Sequence, residues 1–144
     1  MKKGYIVSPV NGRLIVRHDK TFYIEYLSDE HVFVKNKFGC VQFSGFSRQI
    51  FINKTLLDRF GWWLEPYIVG HERAHVYFYD WYHQKVQAED RTDEYFDHEI
   101  FMEKEAIKYV KFYYEDDIYN KCLTFHINRV DELNQKREEY VNRN

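Results

Sequence analysis

Residues 50–61, Ile50-Phe51-Ile52-Asn53-Lys54-Thr55-Leu56-Leu57-Asp58-Arg59-Phe60-Gly61, mark the point where the pattern of this chain changes from strand to helix. Ile50-Phe51-Ile52 is a short β-branched and aromatic run. Thr55 to Phe60 reads as a short helix that stops at Gly61. Upstream the same strand signals recur in Tyr5-Ile6-Val7, Leu14-Ile15-Val16, Phe22-Tyr23-Ile24-Glu25-Tyr26 and His31-Val32-Phe33-Val34. Asn11-Gly12, His18-Asp19-Lys20 and Ser28-Asp29-Glu30 supply turn chemistry between them. This predicts an antiparallel β-meander of four to six strands over residues 1–53.

Downstream, Pro66 suits the first turn of a second helix running to about Val86 or Ala88. A third helix is expected from about Tyr95–Asp97 to Tyr114, broken at Glu115-Asp116-Asp117. A last amphipathic helix then follows from Ile118, with Cys122, Phe125 and Leu133 inward. Strands first and three to four helices second make an α+β fold in a single domain, 1–144, divided into a β part (1–53) and a helical part (54–144).

Composition narrows the function. The chain has 144 residues, 19% aromatic and 31% charged, with a formal net charge of -2. The aromatic content argues against a disordered tail. Interspersed acids and bases without a basic excess argue against a nucleic-acid surface. No run reaches the ~18 apolar residues of a membrane span, and the N-terminus has no apolar signal core, so a cytoplasmic, non-membrane protein is expected. Cys40 and Cys122 show no metal-ligand or redox spacing and read as two reduced, partly buried thiols.

One motif carries chemistry. His71-Glu72-Arg73-Ala74-His75 is H-E-x-x-H on the second helix. Residues four apart differ by about 40° around a helix axis, so His71 and His75 project together and can offer two imidazole nitrogens to one ion. Glu72, about 60° from His75, is near enough to hold a water without being a ligand. Zinc suits this donor set, and a catalytic zinc needs a third protein ligand. The third helix offers candidates in Glu99-Ile100-Phe101-Met102-Glu103-Lys104-Glu105-Ala106-Ile107. Its inward centre lies between Met102 and Ala106, from which Glu103 and Glu105 turn about 80° in opposite senses. Helical geometry leaves those two open. A purely structural zinc would instead close its fourth position with a residue such as His98.

His71-Glu72-Arg73-Ala74-His75 followed by Glu105-Ala106-Ile107-Lys108-Tyr109-Val110 resembles the paired active-site helices of gluzincin metallopeptidases, particularly the ImmA/IrrE-like group. The resemblance covers about residues 65–112. It implies a minimal zincin-like fold, Zn2+ held by His71, His75 and Glu105, and Glu72 as general base. It departs at Gly70, where a larger residue is usual, and at Arg73, where an apolar one is common. It further implies hydrolysis of peptide bonds in an intracellular, repressor-type protein substrate. Tyr79, Tyr82, His83, Tyr109 and Tyr113 are candidates to stabilise the oxyanion. The competing expectation is a non-enzymatic interaction module, a phage or mobile-element inhibitor or adaptor. It would use the aromatic surface of Trp62-Trp63 and Tyr77-Phe78-Tyr79-Asp80-Trp81-Tyr82.

Overall fold

The computed structural model describes residues 5–7, 14–16, 22–44, 47–78 and 93–143. Strands β1 (Tyr5–Val7) and β2 (Leu14–Val16) form an antiparallel pair, with Ile6 opposite Ile15. A separate three-stranded sheet contains β3 (Phe22–Leu27), β4 (Gly39–Ser44) and β5 (Ser47–Asn53) in the order β3-β5-β4. Four α-helices follow among the described residues: α1 (Lys54–Phe60), α2 (Glu65–Tyr77), α3 (Asp93–Tyr113) and α4 (Asp116–Arg143). A 3-10 turn, Trp62–Leu64, joins α1 to α2. The fold is α+β. Among the described residues, no helix is long and apolar enough to cross a membrane.

The sheet departs from the expected antiparallel meander. β4 and β5 are antiparallel, but β3 runs parallel to β5, with Ile24 opposite Ile50 and Tyr26 opposite Ile52. The residues expected as a strand, His31-Val32-Phe33-Val34, form turns instead. The cause is Asn53, fully buried at the end of β5. Its Nδ2 donates to Asp29 Oδ1 (2.7 Å), to the Val34 carbonyl (2.9 Å) and to the Lys37 carbonyl (3.0 Å). Asp29 Oδ1 also accepts from the Asn36 N–H at 3.1 Å. Side-chain bonds to the backbone thus replace the ladder that a β-branched run would otherwise seek. His31 and Phe33 fold over Phe51, with ring centroids 6.5 and 5.0 Å from it, and cover the sheet face turned away from the helices.

Asn53 also starts α1, its Oδ1 accepting from the Leu56 N–H at 3.0 Å. Gly61 ends α1 at φ 120°, a conformation that glycine adopts without strain, and its N–H reaches the Leu57 carbonyl at 2.8 Å. Asn53→Ala removes a helix cap and strands buried carbonyls together. The expected loss is about 3 kcal/mol, read from the urea midpoint, and a loss below ~1 kcal/mol would show that Asn53 does not hold the loop.

The main core joins sheet to helices. Ile50 and Ile52 pack with Leu57, Leu64, Tyr67, Ile68, Val69, Ala106, Tyr109 and Val110. Pro66 lies in the first turn of α2 as expected, and that helix ends at Tyr77 with the Phe78 N–H on the Ala74 carbonyl. Its expected continuation to Val86 or Ala88 lies outside the described residues beyond Phe78. At Gly70 α2 comes close to α3. A β-carbon there would sit 2.8 Å from Tyr109 Cδ1 and 3.1 Å from the Ala106 carbonyl oxygen. Gly70 and Ala106 therefore let the two backbones approach, which sets the rotation and spacing of the helices that carry the site. Both cysteines are free thiols, Cys40 half-buried and Cys122 buried.

Candidate metal centre

α2 presents Tyr67, His71 and His75 at intervals of four, a stripe facing α3. The two imidazoles stand with ring centroids 4.7 Å apart, and their Nε2 atoms are 3.0 Å from each other. From α3, Glu99 brings Oε2 to 3.5 Å from His71 Nε2. One donor atom from each of His71, His75 and Glu99 lies within 4.8 Å of the others. Four-coordinate zinc with bonds of about 2.0–2.1 Å separates neighbouring donors by roughly 3.3–3.4 Å, close to the His71–His75 and His71–Glu99 spacings.

The other nitrogen of His71 is directed elsewhere, its Nδ1 lying 3.4 Å from Glu103 Oε1. A carboxylate at Nδ1 favours the tautomer that leaves Nε2 free to ligate. Glu103 is almost wholly buried. Burial opposes its ionisation, but the facing His71 imidazole and the Tyr67 hydroxyl outweigh that and hold it down at about 2. For His71 burial again opposes charge, and Glu103, Glu72 and Glu99 overcome it, raising the imidazole to about 10. Glu72 is buried beside them, and burial pushes its carboxyl up to about 7. β4 closes over Glu72, since a β-carbon at Gly39 would meet Glu72 Cγ at 3.1 Å. The cluster carries surplus negative charge and draws in protons, a demand that a divalent cation meets equally.

Glu105 does not join the cluster. It turns to the other side of α3, where its carboxylate pairs with Lys108 Nζ at 3.3 Å. The carboxylate placed at the histidines is Glu99, and the reason is rotational: measured from the centre between Met102 and Ala106, Glu99 lies only about 40° away, half the angle of Glu103 or Glu105. That signal was present in the sequence. Glu103, the other candidate, stands behind His71. His98 directs Nδ1 to the Glu94 carbonyl at 2.7 Å and lies outside the cluster.

The cluster forms the base of a cleft of about 670 Å³. One wall is β4, with Gly39, Cys40 and Val41, and the other is α4, with Arg129, Glu132, Leu133 and Lys136. Of the candidate oxyanion stabilisers, Tyr79, Tyr82 and His83 lie outside the described residues. Tyr109 and Tyr113 meet at a tilt, with ring centroids 5.2 Å apart, and do not line the cleft. Tyr67 and Tyr95 do line it. Trp62 and Trp63 are half-buried against the main core.

Comparison with known proteins returns no matching family model, no matching curated protein and no matching solved structure.

Proposed function

We propose that this chain is a zinc-dependent peptidase of minimal zincin-like architecture, with His71, His75 and Glu99 as metal ligands and Glu72 as general base. The observation that carries the reading is the convergence of two imidazole Nε2 atoms and a carboxylate from a second helix at the base of a cleft. An interaction module has no need of that convergence. Bound at this point, zinc would polarise a scissile carbonyl and lower the pKa of water. Glu72, poised near neutrality, takes a proton from the attacking water and passes it to the leaving amine. Glu103 holds His71 in the ligating tautomer.

Within the described residues β4 pairs only with β5, so its other edge is open to an extended peptide added as a further strand beside α2. The narrower form of the proposal, from the ImmA/IrrE-like resemblance, is a cytoplasmic enzyme that cleaves a repressor-type protein.

The test is a zinc titration of the metal-free protein followed by thermal melting across pH. Glu72 and His71 both hold protons more tightly when folded than when unfolded. The metal-free protein should therefore lose stability as pH rises, from about 4.5 to about 7 through Glu72 and from about 6.5 to about 10 through His71. Zinc near one per chain should raise the melting point most at the alkaline end, by replacing those protons. The zinc-loaded protein should cleave an extended peptide and stop on chelation. Failure to bind zinc at micromolar concentration would overturn the proposal.

A further inference from the structure

Behind the histidine pair a buried polar chain leads away from the cleft base into α4. Tyr67, one turn before His71 on α2, donates its hydroxyl proton to Glu103 Oε2. The same hydroxyl oxygen lies 2.9 Å from Nδ1 of His126 on α4. Arg129, one turn further along α4, brings Nε to 3.6 Å from Glu103 Oε1. The carboxylate, carried by α3, is thus approached from two other helices, by Tyr67 and His71 of α2 and by Arg129 of α4.

The donor arithmetic fixes the directions. A tyrosine hydroxyl has one proton, and Tyr67 commits it to Glu103, so its remaining contact with His126 must be one in which His126 Nδ1–H donates. Burial holds the Tyr67 phenol well above its usual range, so it stays a donor, and burial lowers His126, so its ring stays neutral. With Oε2 committed to Tyr67, Oε1 is left to His71 and Arg129.

We propose that Tyr67 and His126 are positioning residues for the metal centre, a relay that holds the Glu103 carboxylate against His71 Nδ1 and makes α4 part of the site. The inference rests on the reading of His71, His75 and Glu99 as metal ligands. It assigns α4 a role beyond forming a wall of the cleft: without His126 the Tyr67 hydroxyl can swing, and without Tyr67 the Glu103 carboxylate can rotate off the histidine.

The experiment measures zinc affinity by competition with a chelating dye, together with the melting point of the metal-free protein, for the full chain and three variants. Tyr67→Phe removes only the hydroxyl and is expected to weaken zinc binding 10- to 100-fold, the usual effect of removing a partner that orients a metal ligand. His126→Leu is expected to weaken it up to about 10-fold. His126→Asn places an amide N–H near the former Nδ1 and should restore affinity to within about threefold of the parent. A purely structural role would lower the metal-free melting point and leave zinc affinity unchanged. Parent-like affinity in both Tyr67→Phe and His126→Leu would overturn the relay while leaving the metal site standing. Absence of zinc binding in the parent would overturn the metal site and the relay with it. Should Tyr67→Phe fail to fold, the two His126 variants decide the matter, because that ring is only half-buried.

Discussion

Glu99→Ala is expected to reduce bound zinc from about one per chain to a small fraction, while Glu105→Ala leaves it unchanged. The two residues lie on the same helix and differ by about 120° around its axis, which is enough to separate a cleft from a surface. Glu99 Oε2 stands 3.5 Å from His71 Nε2. Glu105 is a partly exposed partner of Lys108, of the kind whose removal costs at most ~1 kcal/mol of stability. Metal content by atomic emission after gel filtration reads the difference directly. Retention of zinc in Glu99→Ala with loss in Glu105→Ala would require α3 to rotate by a third of a turn, which the contact between Gly70 and Ala106 forbids.

Glu72→Gln is expected to keep zinc and to lower peptide hydrolysis by about 10²- to 10⁴-fold, the range associated with losing a positioned general base. The amide matches the carboxylate in size, so the space beneath Gly39 stays filled, but it cannot accept a proton at neutral pH. The fold loses little. Burial already disfavours the Glu72 charge, so a neutral side chain should raise the metal-free melting point above pH 7. Single-turnover cleavage of a labelled peptide, with zinc content measured on the same sample, separates loss of chemistry from loss of metal. Undiminished cleavage would move the base elsewhere.

Much of the helical half was legible because its signals are local. Gly61 as a stop and Pro66 in a first turn each act within a few residues and mark the boundary they predict, whereas the break expected at Glu115-Asp116-Asp117 falls at Tyr114-Glu115, with Asp116 and Asp117 in the first turn of α4. The sheet was less legible because its topology depends on a side chain acting at long range. Asn53 reaches back to Asp29 and Val34, and that reach turns an expected strand into a loop and leaves β3 parallel to β5. In the site, the histidine pair follows from the period of one helix and needs no tertiary information. The third carboxylate depends on how two helices face each other. The E-A pattern at Glu105-Ala106 lies on the helix that faces the histidines, but it is the alanine that approaches α2, and the acid that reaches the histidines is Glu99, six residues before Glu105.

With the cluster read as the proposed metal centre, the close approach at Gly70 bears on which ion would fit it. Donors held on two packed helices cannot each relax toward an ion independently, so the separation of the backbones acts as a gauge for ionic radius. Zinc bonds of about 2.0–2.1 Å and calcium bonds of about 2.3–2.6 Å differ by a few tenths of an ångström. A methyl group added at Gly70 meets Tyr109 at 2.8 Å and would force a shift of comparable size. On that reading the residue with no side chain, one position before the first histidine, would act as a determinant of metal selectivity, although it can contribute no ligand.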